Sequence, residues 1–208
     1  MDKEVLKDII KNELNVEKIQ LDDIPELELY MDQVIQIFES KLAKTKRNEE
    51  DKVLTKTMIN NYAKAKLLMS IKNKKYSKEH LILMSLIYEF KGILSMNDIK
   101  YLLDDIINNY EKDDNYNIRE LYNEYLNNSI EDSKAIEQYL DEKIDKLDDI
   151  SKSFEEKFLL ISSIITISNT YRKIGEKLID EFFGEGVENN EKSKWFKKRI
   201  VKNRWKRI

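Results

Sequence analysis

Cysteine is absent from the 208-residue chain, and histidine occurs only once, at His80. Without cysteine there is no disulfide, no thiolate metal ligand and no cysteine nucleophile, and the usual zinc sites need more Cys and His than are present. Neither GxGxxG nor GxxxxGK[ST] occurs, so no glycine-rich phosphate-binding loop is available. We therefore expect a protein that is not an enzyme and has no bound cofactor or metal.

Proline and glycine are scarce, with one and four residues, whereas charged residues make up 37% of the chain and hydrophobic residues 41%. Few helix breakers among many helix formers predict an all-α fold. The N-terminus lacks the basic start and apolar core of a signal peptide. The most apolar run, FLLISSIITI at 158–167, is far shorter than the roughly 20 residues of a membrane span. We expect a cytoplasmic protein without a transmembrane segment.

Charge is segregated along the chain, although the net charge is only −3. Residues 41–80 contain twelve Lys/Arg and four acidic residues, and residues 97–156 contain eighteen acidic and seven basic residues. Residues 192–208 contain nine basic residues and no acidic one. A single lysine-rich run is often only solvated surface, but two in one acidic protein favour an anion-binding face.

Local start signals and apolar periodicity predict where the helices lie. Thr55 is a predicted N-cap, and Leu54 and Ile59 form a hydrophobic staple across it. The SIKNKKY segment at 70–76 is too short and polar for a helix, and it predicts a small hairpin or loop. The first helix is expected to bury Val5, Ile9, Ile10 and Leu14. Helices are predicted over about 3–19, 32–43, 55–68, 77–92, 95–107, 118–128, 131–149 and 152–183.

The last predicted helix has apolar residues in alternating steps of four and three. This spacing forms the a/d seam that joins two helices in a coiled coil. A homodimer through the seam is one interpretation, and a central core helix of a small bundle is the other. The predicted dimer seam consists of Leu160, Ile164, Ile167, Tyr171, Ile174 and Leu178.

Three segments together resemble the winged helix-turn-helix of MerR-type regulators. TMINNYAKAKLL is similar to the recognition helix of that family, KYSKEHL to its wing-to-helix connection and GILSMNDIKYLL to a segment that follows. Lys66 stands where that family has a glycine. The chain also resembles a MerR-like family called domain of unknown function 1836, in which LYMDQV, LTKTMINNY and the KKYS–EHL wing recur together. The resemblance covers about residues 25–107.

The resemblance implies which residues contact DNA. Asn60 takes the place of the polar residue that faces bases or phosphates, Tyr62 that of a tyrosine whose hydroxyl reaches a phosphate, and three lysines fill the wing. Asparagine suits this role because it can contact adenine through both a donor and an acceptor, whereas lysines add affinity without sequence information. The predicted DNA-binding residues are Lys56, Thr57, Asn60, Asn61, Tyr62, Lys64, Lys72, Lys74, Lys75 and Tyr76.

The expected protein is all-α with a small β-wing, and it divides into four parts. These are an N-terminal helix at 1–24, a MerR-like winged helix-turn-helix at 25–110, a helical dimerisation or regulatory domain at 111–184, and a linker with a basic tail at 185–208. The expected function is sequence-specific binding of double-stranded DNA by a homodimeric transcriptional regulator. Helix 55–68 would enter the major groove, and the wing at 70–76 would lie on the backbone.

Two other functions remain open. An all-helical protein–protein interaction module could keep the fold without specific DNA binding. A metal-dependent hydrolase would use Asp141, Asp145, Asp148 and Asp149, which lie at helical spacing, but interleaved lysines favour a solvated face. The tail Lys194–Ile208 combines aromatic and basic residues, which indicates contact with DNA phosphates or with the acidic zone of the same chain, and next with an anionic membrane surface.

Overall fold

The fold is mostly helical, as the composition predicts, and the described residues also include a small two-stranded sheet. The structure, a computed structural model, describes residues 2–15, 18–113, 116–147 and 153–184. Short 3-10 helices at Leu21–Asp23 and Ala43–Thr45 join the longer elements. In the described residues the elements are α1 (Lys3–Leu14), β1 (Leu29–Tyr30), α2 (Met31–Lys41), α3 (Lys56–Lys64), β2 (Lys75–Tyr76), α4 (Lys78–Phe90), α5 (Met96–Lys112), α6 (Ile118–Asp145) and α7 (Phe154–Phe183).

Helix α4 forms the centre of the main core. Its residues from Lys78 to Ile87 are all buried. The apolar residues of α4 occur on all faces of the helix instead of forming one stripe, which is typical of a buried helix. Leu81, Ile82, Leu83 and Met84 are all fully buried. Contacts with α5, α6 and β2 cover α4.

His80, the single histidine of the chain, helps to cap the N-terminus of α4. The Ser77 amide donates to His80 Nδ1 at 3.1 Å, so this nitrogen is an acceptor and the ring proton lies on Nε2. Nε2 lies 3.3 Å from the carbonyl of Met69 and donates to it. Burial lowers the pKa of His80, which keeps the ring in the neutral form that both hydrogen bonds require. His80 therefore joins α4 to the segment that follows α3.

Helix α6 differs from the helices that the sequence predicts. The predicted helices at 118–128 and 131–149 are one continuous helix that ends at Asp145, because Ser129 and Ile130 between them include no proline or glycine to break it. Helix α5 likewise continues past Ile107 to Lys112. Ile118 and Tyr122 of α6 belong to the main core, so this core extends beyond the predicted boundary at residue 110.

One hydrogen bond joins the two ends of this core. The hydroxyl of Tyr122 donates to the backbone carbonyl of Ile19 at 2.7 Å, and both residues are almost completely buried. Burial raises the pKa of Tyr122 far above its ordinary value, so the phenol stays protonated and keeps its donor. The segment before β1 is thus tied to the first turns of α6.

Helix α1 packs on a second, smaller core. The predicted stripe placed Val5 and Ile9 inside, but both are exposed. Ile10 of the predicted stripe does pack inward, and together with Leu6 it contacts Ile144 and Leu160, where the end of α6 meets the start of α7. The buried face is therefore rotated from the predicted one, because α1 docks on the side of α6. The helix also ends at Leu14, earlier than the predicted residue 19.

Candidate nucleic-acid interface

Helix α3 starts as the sequence predicts. The Thr55 hydroxyl accepts a hydrogen bond from the Met58 amide at 3.2 Å, which satisfies one of the free amides of the first turn. Leu54 and Ile59, the predicted staple, are both buried. The N-cap and the staple together fix the direction in which α3 leaves the core.

The end of α3 lies earlier than predicted, at Lys64 instead of about residue 68. Lys66 adopts a left-handed conformation with φ 58°. The Leu67 amide bonds to the Tyr62 carbonyl at 2.9 Å and the Lys66 amide to the Ala63 carbonyl at 3.1 Å, which is the hydrogen-bond pattern of a Schellman motif. This turn directs Leu67 into the core. Lysine thus stands at a backbone position that favours glycine.

Lys66→Gly is expected to raise the free energy of unfolding by about 1 kcal/mol, because glycine has no Cβ to strain a left-handed residue. Urea unfolding measures this as a higher midpoint with an unchanged slope. Lys64→Gly is the matched control, and it is expected to lower stability by about 1 kcal/mol because residue 64 is helical. Equal losses in the two variants would contradict the Schellman assignment.

The outer face of α3 is polar and accessible. Lys56 forms an ion pair with Asp32 of α2 at 2.7 Å, but both side chains are more than 60% exposed, so the pair is weak and can give way to a phosphate. The exposed residues of this face are Lys56, Thr57, Asn60, Asn61 and Lys64, all of which are predicted DNA contacts.

Tyr62 and Tyr76, also predicted DNA contacts, lie in the core. They are only 5% and 4% exposed, and burial raises the pKa of both phenols. The ring of Tyr76 packs edge-on against His80 at 5.8 Å. Neither ring can therefore stack on DNA, and the predicted phosphate contact of Tyr62 is limited to its hydroxyl. Both rings instead pack in the main core, where they anchor α3 and the strand that follows the wing.

The predicted wing contains a tight turn. Asn73 and Lys74 both have positive φ, 51° and 58°, and the Lys75 amide donates to the Lys72 carbonyl at 2.9 Å. These features define a type I′ turn, which presents the lysines at its tip. Lys72 and Lys74 are exposed and Lys75 is half-exposed. We call residues 72–75 the wing turn.

The strand that follows the wing turn pairs with a strand that the sequence reasoning did not identify. β2 is antiparallel to β1, with Tyr30 opposite Lys75 and Leu29 opposite Tyr76. The ammonium group of Lys75 lies 5.5 Å from the centre of the exposed Tyr30 ring. Tyr30 therefore belongs to the same exposed surface as the wing turn. The sequence did not predict this, because a strand of two residues is too short to show periodicity. The sheet fixes the wing against the start of α2.

An ion-pair network holds the base of the wing to α6. Arg119 contacts Glu79 at 2.7 Å and Glu26 at 2.9 Å, and Lys78 contacts Glu26 at 2.7 Å. Hydrogen bonds from Lys78 and Arg119 lower the pKa of Glu26. Burial alone would raise the pKa of Glu79, but hydrogen bonds from its own backbone amide and from Arg119 lower it overall. The two carboxylates and the Arg119 guanidinium, whose pKa is raised by its hydrogen bond to Glu79, therefore remain charged at neutral pH.

The predicted dimer seam is mostly uncovered within the described residues. Leu160 is an exception, because it is buried in the small core against Ile144. Ile167 is half-buried, and the other seam residues, Ile164, Tyr171, Ile174 and Leu178, are exposed. No helix in the described parts of the chain is both long and apolar enough to cross a bilayer.

The acidic residues considered as metal ligands do not form a site in the described part of the chain. No three histidine, cysteine, aspartate or glutamate side chains there lie close enough together to hold a metal ion. Asp148 and Asp149 lie outside the described residues, and so does the tail Lys194–Ile208.

These features define a class of mostly helical domain, in which a buried central helix supports a short capped helix and a lysine-rich turn. The chain belongs to the family described as Domain of unknown function (DUF1836), whose sequence model matches residues 19–125. The match extends beyond the resemblance at 25–107, and it runs from Ile19 past Tyr122, the two residues joined by the core hydrogen bond. No curated protein matches the chain, and no solved structure matches it either.

Proposed function

We propose that the exposed face of α3 and the wing turn form the DNA-binding surface of a MerR-like, winged helix-turn-helix transcriptional regulator. The observation that supports this most directly is that Ile59 and Tyr62 anchor α3 in the core while its polar face stays in solvent. α3 enters the major groove, about 12 Å wide, where Asn60 contacts base edges. The wing turn lies on the phosphate backbone and adds affinity without sequence preference.

The proposed regulator binds two half-sites as a homodimer. The exposed seam residues Tyr171, Ile174 and Leu178 support this part of the proposal, because a contiguous apolar surface on a helix is typical of an interaction site. Two copies joined along α7 would present two α3 helices to the DNA, and the operator would carry matching half-sites.

Specific binding is tested with the purified protein and the DNA upstream of its own gene, near physiological salt and with scrambled competitor. The expected result is competitor-resistant binding that Asn60→Ala weakens roughly 5- to 100-fold, through the loss of about 1–3 kcal/mol of base discrimination. Asn128→Ala, which removes an exposed asparagine of α6, is the matched control and should bind like the wild type. Binding that the competitor removes equally in all three proteins would contradict sequence-specific recognition.

A protein–protein interaction module is the second candidate, and the apolar surface of α7 favours it. In that case the seam of α7 is the working surface, and α3 serves only the fold. Absence of DNA binding, together with a monomer that binds another protein through Tyr171 and Leu178, would select this candidate.

A further inference from the structure

A second apolar stripe runs along the N-terminal half of α7. Phe154, Phe158, Ile161 and Ile165 follow one another in steps of four, three and four, so they lie on one face of the helix. All four are between 54% and 72% exposed, and the two phenylalanine rings stack 6.2 Å apart. We call these four residues the phenylalanine stripe.

The phenylalanine stripe is separate from the predicted dimer seam. At 100° per residue, its centre lies roughly 130° around α7 from the centre of the seam. One partner helix packed on the seam would therefore leave the stripe in water. Large exposed apolar patches are rare on monomeric proteins, so a further segment is needed to cover these four side chains.

The same end of α7 is strongly acidic. Residues 141–156 contain seven acidic and three basic residues. This segment includes Phe154 and ends two residues before Phe158. Glu155 is exposed in the first turn of α7. A segment that covers the phenylalanine stripe should therefore combine apolar residues with positive charge.

Residues 192–208 have this composition and begin nine residues after the end of α7. They include Trp195, Phe196, Ile200 and Trp205 together with nine basic and no acidic residues. Ten extended residues, 185–194, reach at most about 35 Å. Ile165 lies about 28 Å back along the helix from Gly184, at 1.5 Å per residue. The segment can therefore return along α7 and reach the stripe in the same chain.

We propose that residues 192–208 dock on the phenylalanine stripe of their own chain, antiparallel to α7. Trp195 then lies near Ile165, and Trp205 lies near Phe154. This direction brings Lys202, Arg204, Lys206 and Arg207 towards the acidic residues 141–156. The apolar contacts hold the segment on the helix, and the charges add to the attraction. The reach of residues 185–194 sets the antiparallel orientation, because Phe154 lies about 45 Å along the helix from Gly184 and Ile165 only about 28 Å. The docked segment covers the stripe and reduces the net negative charge of that region.

Tryptophan fluorescence reports on this segment alone, because Trp195 and Trp205 are the only two tryptophans of the chain. Docked tryptophans are expected to emit at shorter wavelength than in the unfolded protein, and acrylamide should quench them at least about twofold less. In full-length Phe158→Asn/Ile165→Asn both differences should disappear. The two replaced side chains are exposed, so circular dichroism is expected to show unchanged helix content.

Tyr171→Asn/Leu178→Asn, on the dimer seam, is the control and should leave the emission at the wild-type wavelength. The wild-type spectrum should also be constant over a hundredfold dilution, because the contact is within one chain. Emission that follows the seam variant, or that changes on dilution, would overturn the proposal in favour of a second copy. Tryptophans that are quenched as in the unfolded protein until double-stranded DNA or anionic vesicles are added would overturn it in favour of that partner.

Discussion

Replacing Lys72, Lys74 and Lys75 by glutamine is expected to weaken binding to every DNA sequence by the same factor, about one to two orders of magnitude near 0.15 M salt. The wing turn presents these side chains to solvent, and in the proposed complex with DNA they would neutralise phosphates without reading bases. Each lost phosphate contact lowers the slope of log affinity against log salt by about 0.9, so the slope should fall by nearly three. Fluorescence anisotropy titrations at several salt concentrations measure both effects.

A charge-matched control separates the wing turn from the overall charge. Lys11, Lys134 and Lys173 are exposed lysines on α1, α6 and α7, and replacing them by glutamine changes the net charge by the same amount. This control should bind DNA within about twofold of the wild type, because charges on remote elements are screened beyond about 8 Å at physiological salt. Equal loss of affinity in the two triple variants would mean that the lysines act only through net charge.

Tyr122→Ala is expected to lower the free energy of unfolding by about 3–5 kcal/mol, a large part of the stability of a domain. Tyr122 is one of the largest fully buried side chains, so its removal leaves a cavity between α4 and α6. It also leaves the Ile19 carbonyl without its hydrogen bond. Tyr122→Phe keeps the ring and should cost only about 1 kcal/mol. Urea unfolding of the two variants separates the packing contribution from that of the hydrogen bond.

Tyr171→Ala is the control for this loss, because Tyr171 is 71% exposed. Its effect on the free energy of unfolding of the monomer is expected to be within about 0.5 kcal/mol. The comparison also bears on the organisation of the chain. If Tyr122→Ala were as mild as the control, the first turns of α6 would not belong to the main core, and the predicted boundary at residue 110 would be favoured.

The wing and the start of α6 are mechanically connected in this fold. Arg119 holds Glu79 at the N-terminus of α4, and β2 ends one residue before the Ser77 cap of the same helix. A change in α6 can therefore reach the wing turn through the Arg119–Glu79 contact and the chain that joins α4 to β2. Regulation of the proposed DNA-binding surface by the C-terminal helices would have this physical route available.

Several local features follow from the sequence alone. The N-cap of α3 at Thr55 was predicted, because a cap depends on residues within one turn of it. The mostly helical class followed from composition, and the turn at 70–76 from its short polar sequence. The candidate residues Asn60, Lys72 and Lys74 are exposed for a related reason. Asn60 lies on the polar face of α3, and the two lysines lie in a short polar turn, so neither segment has an apolar face there to bury.

Only the tertiary structure decided the features that depend on distant residues. Tyr30 pairs with Lys75, and Tyr122 bonds to Ile19, but no local pattern joins residues so far apart. The sequence around Tyr62 and Tyr76 does not show whether the rings face DNA or the core. Packing against α4 and its neighbours places both rings in the core. Hydrophobic burial is non-directional, so an apolar face can be covered by any segment, near or distant in the chain. The sequence therefore determined where helices begin, and packing determined which faces they bury.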